Sequence, residues 1–295
     1  MVREEYRTAG RITAEVREVV RKNVKPGMRY VEVCDLVEND IAARGGHPAF
    51  PTGIGVNEVT AHYSPQEGDE SMVRNGDLVK VDFGVHVDGY LTDTAVTLAF
   101  GPEHALLLEA ADATLKAAVA SARREVRVGE IGKVIRREAT RLGFKTIENL
   151  TGHTVERYTV HAGKSIPNLY VSGMQPLKKG DVFAIEPFLT ASSAAGYVVD
   201  GPSVTIFSVV ARKRTGSEEA DRFAEAVWQE RKTLPFTPRW YVKRFGAKEV
   251  DKWLKHLVAK KVVRHYPTLV EASRMPVAQF EHTMSLDDDG LVVLT

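Results

Sequence analysis

Asp82, Asp93, His153, Glu186 and Glu281 offer four carboxylates and one imidazole, each inside a short segment that reads as an active-site wall. The segments are VKVDFGVHVDGYLTDTAV, LTGHTVERYTVHAGK, FAIEPF and VAQFEHT. Such an oxygen-rich set suits two hard or borderline divalent cations held close together, rather than one structural zinc. Asp82 lies between Val81 and Phe83, and Glu186 and Glu281 sit in equally apolar surroundings. A carboxylate buried there is costly unless it is paired or bound to a cation. One such residue is weak evidence; three of them, with Asp93 nearby, favour a shared cation site. His62 and His161, each unremarkable alone, add donors of the kind hydrolysis needs near a scissile carbonyl and a leaving amide. If the five converge, the chain is a dinuclear metallohydrolase.

The elements that must bring them together can be read from spacing. Ile12, Val16, Val19 and Val20 recur at helical intervals, predicting a helix over about 3–23 that stops at Lys25-Pro26-Gly27. A second helix is expected from Tyr30 to Arg44. The segment from His47 to Gly68, rich in proline and glycine, reads as an ordered loop with strand pieces. Residues 77–99 form the clearest hairpin: two β-rich runs flank Asp88-Gly89, the chemistry of a two-residue type I′ turn. That turn pairs Val87 with Tyr90 and sets Asp82 opposite Ala95. Asp93 is then a diagonal neighbour on the same face. Two amphipathic helices are expected at about 103–124 and 128–142, followed by strands at 182–190 and 198–206. His153, in GHT, reads as part of a loop, and VAQFEHTMSL as a strand. Between Arg212 and Arg264 helical patterns dominate, cations outnumber anions about two to one, and no ligand candidate occurs. This stretch reads as a subdomain grafted into a catalytic unit.

Composition narrows the class. A chain of 295 residues with net charge +1 can bury a large core and shows no overall charge bias toward a partner. The single cysteine, Cys34, excludes internal disulfides and a cysteine-based zinc site. The charged start, MVREEYRTAGRITAEV, lacks the apolar core of a signal peptide, and no apolar run suffices to span a bilayer. A cytoplasmic, membrane-free protein is expected. Gly163-Lys164-Ser165 is not a phosphate loop, because Tyr158 stands where its first glycine is required. HExxH and G-x-S-x-G are absent, so nucleophilic serine or cysteine catalysis has no support.

The order Asp82, Asp93, His153, Glu186, Glu281, with AFPTG at 49–53, TAHY at 60–63, HAGK at 161–164 and AQFEHT at 278–283, closely resembles the methionine aminopeptidases. The resemblance covers nearly the whole chain. The insert before Glu281 is similar to the helical subdomain of the type II branch, and the lack of a long N-terminal extension is similar to archaeal members. The resemblance implies an α/β (α+β) pita-bread fold: two halves related by a pseudo-twofold, antiparallel strands lining the site and helices outside. It implies a catalytic unit of residues 1–195 and 270–295 and an inserted helical subdomain at 207–266. The implied reaction is co-translational removal of the N-terminal methionine from nascent proteins, with a small second residue preferred.

By the same resemblance Asp82 holds one cation, His153 and Glu186 the other, and Asp93 and Glu281 bridge both. The cations are drawn from cobalt, manganese, iron and zinc. Glu186 is implied as a proton shuttle, His161 as a partner of the scissile carbonyl, and His62 as a contact to the scissile amide. Phe50, Val160 and Tyr266 match positions lining the methionine pocket, whose apolar and aromatic character suits a thioether. A monomer that does not bind DNA is expected, with transient ribosome contact through the basic insert. Two alternatives stay open at this point: a pita-bread peptidase acting before proline, and a metal-free relative serving as an RNA- or protein-binding adaptor.

Overall fold

The computed structural model describes residues 2–288 and 290–295. Helix Glu4–Asn23 opens the chain, with Glu4 and Glu5 in its first turn and Arg21 and Lys22 in its last, the charge order that the helix dipole favours. Its stripe of Ile12, Val16 and Val20 is fully buried. Helix Tyr30–Ala43 follows and packs beside it. Strands His47–Pro48, Gly53–Val56 and Val59–Ala61 then give the proline- and glycine-rich segment its expected order.

Hairpin Leu78–Val87 and Tyr90–Ala99 has the register that the Asp-Gly turn predicts, with Val87 opposite Tyr90, Asp82 opposite Ala95 and Gly84 opposite Asp93. Both turn residues have positive φ, Asp88 at 50° and Gly89 at 84°, as a type I′ turn demands. The order of two helices followed by strands recurs in the second half. Helices Ala105–Ser121 and Val128–Arg141 precede strands Phe144–Thr146 and Thr151–Thr154. Helices and strands of both halves share one core, in which Val79, Val81, Phe83, Ile131, Ile135, Phe183 and Met284 are buried.

Two of the expected strands are interrupted, and both breaks fall at a carboxylate. The stretch 182–190 divides into Val182–Ile185 and Phe188–Ala191, with Glu186-Pro187 between them. Pro187 has no N–H to offer a ladder, so pairing cannot run through it. VAQFEHTMSL likewise divides into Val277–Gln279 and His282–Asp287, separated by Phe280-Glu281. There the Glu281 N–H leaves the ladder for the carbonyl of Ala95. The two chains change sheets together: Val182–Ile185 pairs with His282–Asp287, and Phe188–Ala191 pairs with Val277–Gln279. Glu186 and Glu281 are therefore junction residues, not strand residues as their apolar surroundings suggest. His153 shows the opposite correction. It lies within strand Thr151–Thr154, which pairs with Val182–Ile185 on one side and Ser165–Pro167 on the other.

Strands Val198–Val209 and Val263–Glu271 pair with each other, Val209 opposite Val263. They carry between them the helices Glu218–Arg231, Val242–Phe245 and Ala247–Ala259. This region has its own apolar cluster around Phe223, whose ring meets those of Phe236, Tyr241, Phe245 and Trp253 at 5.5–6.4 Å between centroids. Among the described residues no helix is long and apolar enough to cross a membrane.

Candidate metal centre and active site

One cavity of about 420 Å³ is lined by Phe50, His62, Asp82, Asp93, His153, Val160, His161, Glu186, Tyr266 and Glu281 together. All ten residues singled out from the sequence thus share a single space, although they span more than two hundred positions of the chain. Asp82 and Asp93 come from the hairpin, His153 from its strand, and Glu186 and Glu281 from the two strand breaks.

Asp93, His153 and Glu281 form the tight centre: one donor atom from each lies within 4.8 Å of the others, and all three residues are buried. His153 Nε2 stands 3.5 Å from Asp93 Oδ2 and 3.6 Å from Glu186 Oε1. Gln279 ties in the remaining carboxylate, its Nε2 donating to Glu186 Oε2 at 3.2 Å and to Asp82 Oδ2 at 3.4 Å. Behind the donors, threonine hydroxyls stitch the two backbones together. The Asp93 N–H donates to Thr283 Oγ1 at 2.7 Å, and that hydroxyl donates back to the Asp93 carbonyl at 2.8 Å. Thr94 Oγ1 donates to the Glu281 carbonyl at 2.8 Å.

The electrostatics are unfavourable for protein alone. Burial raises the pKa of Asp93 to about 7. Asp82, Glu186 and Glu281 are pushed well above the carboxylate range, first by burial and then by their acidic neighbours, Asp93 in each case. Like charges this close cannot all ionise without a compensating cation. Three buried oxygens, Asp82 Oδ1, Asp93 Oδ1 and Glu281 Oε1, meet no hydrogen-bond partner. Unsatisfied hard oxygens around one imidazole are what a divalent cation requires, so the residues present fit one.

The histidines are held differently. His153, fully enclosed, is pushed down to about 4 by burial and is neutral at physiological pH. His161 packs edge-on against it, with centroids 4.3 Å apart, and is lowered by withdrawal from water, then by His153 and Arg264. His62, lowered to about 4 by burial and then by His161, has φ 62°, a left-handed conformation uncommon for non-glycine residues. Its ring meets that of Tyr266 edge-on at 5.9 Å. The Tyr266 hydroxyl in turn bonds with Ser208 Oγ at 3.0 Å on the cavity wall.

Sequence reasoning missed Gln279, Thr94 and Thr283, since an amide or hydroxyl in a strand carries no spacing signal. It also missed Gly84. A Cβ there would lie 2.5 Å from the Phe50 ring and 2.9 Å from the Thr92 carbonyl, so glycine lets Phe50 approach the hairpin at the position paired with Asp93.

A deep apolar-walled cavity with a cluster of hard donors is the site of a metal-dependent hydrolase. Residues 4–214 match metallopeptidase family M24, and the chain belongs to that family. It is 41% identical over 288 residues to the methionine aminopeptidase of Pyrococcus horikoshii, covering 97% of each chain. The solved methionine aminopeptidase of Thermotoga maritima shares the fold with a TM-score of 0.71 at 24% identity, over 100% of this chain and 99% of that one. A thermophilic Arx1 shares it with a TM-score of 0.86 at 17% identity, over 100% and 91%. The antiparallel-sheet α/β architecture expected from the sequence is thus the pita-bread fold of this family.

Proposed function

We propose that this protein removes the N-terminal methionine from polypeptides whose second residue is small, by hydrolysing the first peptide bond. One observation carries the reading: the buried donor cluster and the pocket residues Phe50, Val160 and Tyr266 line the same cavity. The named relatives support it along the full length of the chain.

Two divalent cations, of cobalt, manganese, iron or zinc, would be held by Asp82 on one side and by His153 with Glu186 on the other, with Asp93 and Glu281 shared. Bound there, they would supply Lewis acidity toward water and the scissile carbonyl and an anchor for the free α-amine. The protein's own part is positional. Gln279 fixes the Asp82 and Glu186 carboxylates. Glu186 takes a proton from the attacking water and returns it to the leaving amine. Neutral His161 donates to the carbonyl oxygen as negative charge develops, and His62 faces the amide. The test compares Met-Ala-Ser with a proline-containing dipeptide. Cleavage of the first supports the reading, and cleavage of the second alone sinks it.

The basic segment supports a partner as well. Lys243, Lys248, Lys252, Lys260 and Lys261 are exposed, and among the described residues none has a carboxylate within ion-pair distance. We infer that this segment meets ribosomal phosphates. Co-sedimentation with ribosomes should weaken as salt rises and weaken again when these lysines become glutamate. Sedimentation indifferent to both changes removes the contact.

A further inference from the structure

Arg231 ends helix Glu218–Arg231 and is only 8% exposed, yet it takes no part in the site described so far. Its Nη2 contacts three backbone carbonyls: Pro48 at 2.7 Å, Ala49 at 3.1 Å and Pro235 at 3.2 Å. The guanidinium carbon lies 4.9 Å over the ring of Trp240. Among the described residues no carboxylate stands within ion-pair distance of it. A buried guanidinium held only by carbonyls and a ring face costs more than a solvated one. Burial accordingly lowers its pKa to about 10.

What it holds is specific. The carbonyls of Pro48 and Ala49 immediately precede Phe50, and Pro235 belongs to the segment that follows the helix. Phe50 and Pro235 both line the cavity, whereas Arg231 does not. Phe50 is already fixed from beneath, because Gly84 leaves room for its ring and the Ala49 N–H donates to the Gly84 carbonyl at 2.8 Å. Arg231 fixes the same segment through the Pro48 and Ala49 carbonyls and joins it to the segment that carries Pro235. All three contacts come from Nη2 while the planar guanidinium lies over the Trp240 ring, a stacking that a lysine ammonium does not reproduce.

We propose that Arg231 is a positioning residue that sets the separation between the Phe50 and Pro235 walls, and through it which first side chain the cavity accepts. The inference rests on the aminopeptidase reading and deepens it. It is tested with Arg231→Lys and Arg231→Met on metal-loaded protein, measuring kcat and KM for Met-Ala-Ser and Leu-Ala-Ser, metal content and Tm. KM for the methionine peptide should rise about tenfold with kcat nearly unchanged, because ground-state fit is lost and the chemistry is not. The preference for methionine over leucine should fall, metal content should hold, and lysine should lie between wild type and methionine. In a Phe50→Leu background, Arg231→Lys should have a smaller effect on that preference.

An unchanged KM and preference with a lowered Tm makes Arg231 a brace and overturns the inference. Loss of folding in both variants does the same. Failure of the wild type to cleave Met-Ala-Ser removes the aminopeptidase reading itself, a result separate from either.

Discussion

Asp93→Ala is expected to abolish peptide hydrolysis and to lower the number of cations bound per chain, and Glu281→Ala to do the same. Asp93 is the donor with the most connections: it lies against His153, and its charge is felt by Asp82, Glu186 and Glu281. If bound cations supply several kcal/mol of transition-state stabilisation, their loss costs about a thousandfold or more in kcat/KM. A pH signature accompanies it. The pKa of Asp93 in the fold is raised to about 7, so the metal-free fold prefers it protonated. That preference contributes stability below the usual carboxylate range and is lost as pH rises through about 7. Chelated wild type should therefore lose Tm between about pH 4 and 7, and added divalent cation should restore it. Chelated Asp93→Ala should show a flatter profile. Full metal content and activity in Asp93→Ala would falsify the assignment.

His161→Ala is expected to split the two readouts. Its ring packs on His153 at the cavity wall, and its lowered pKa keeps it uncharged at neutral pH. An uncharged imidazole carries one N–H to donate, and His161 is assigned to the carbonyl and not to a cation. Loss of such a donor to a developing oxyanion typically costs a hundred- to a thousandfold in kcat, roughly 3–4 kcal/mol. Turnover should drop on that scale while metal content, measured on the same sample, stays at the wild-type level. Metal lost together with activity would mean the ring holds a cation and its role is misassigned.

Some of this was legible in sequence for definite reasons. The Asp88-Gly89 turn sets hairpin register by local geometry, so the relation of Asp82 to Asp93 could be counted out. The stripe of the first helix could be read in the same way. The strand breaks at Glu186 and Glu281 could not be, because the pairing that divides each strand is with residues about a hundred positions away. His153 read as a loop residue because Gly152 precedes it, yet the strands on either side keep it extended. Gln279 and Thr283 gain meaning only from what they face. Arg231 reads as an ordinary cation at a helix end, and its burial depends on Trp240 and on a loop near residue 50.

The cavity draws part of its wall from a stretch of chain that supplies none of its proposed donors. Every proposed cation donor lies before residue 187 or after residue 280, while Thr233, Pro235 and Arg264 reach the cavity from the stretch between. That part of the wall can therefore change without replacing a proposed donor. Substitutions in the middle stretch can retune which side chain is welcomed without disturbing the charges that do the cutting. A protein engineer could recombine that stretch among relatives as a selectivity cassette, keeping one catalytic engine.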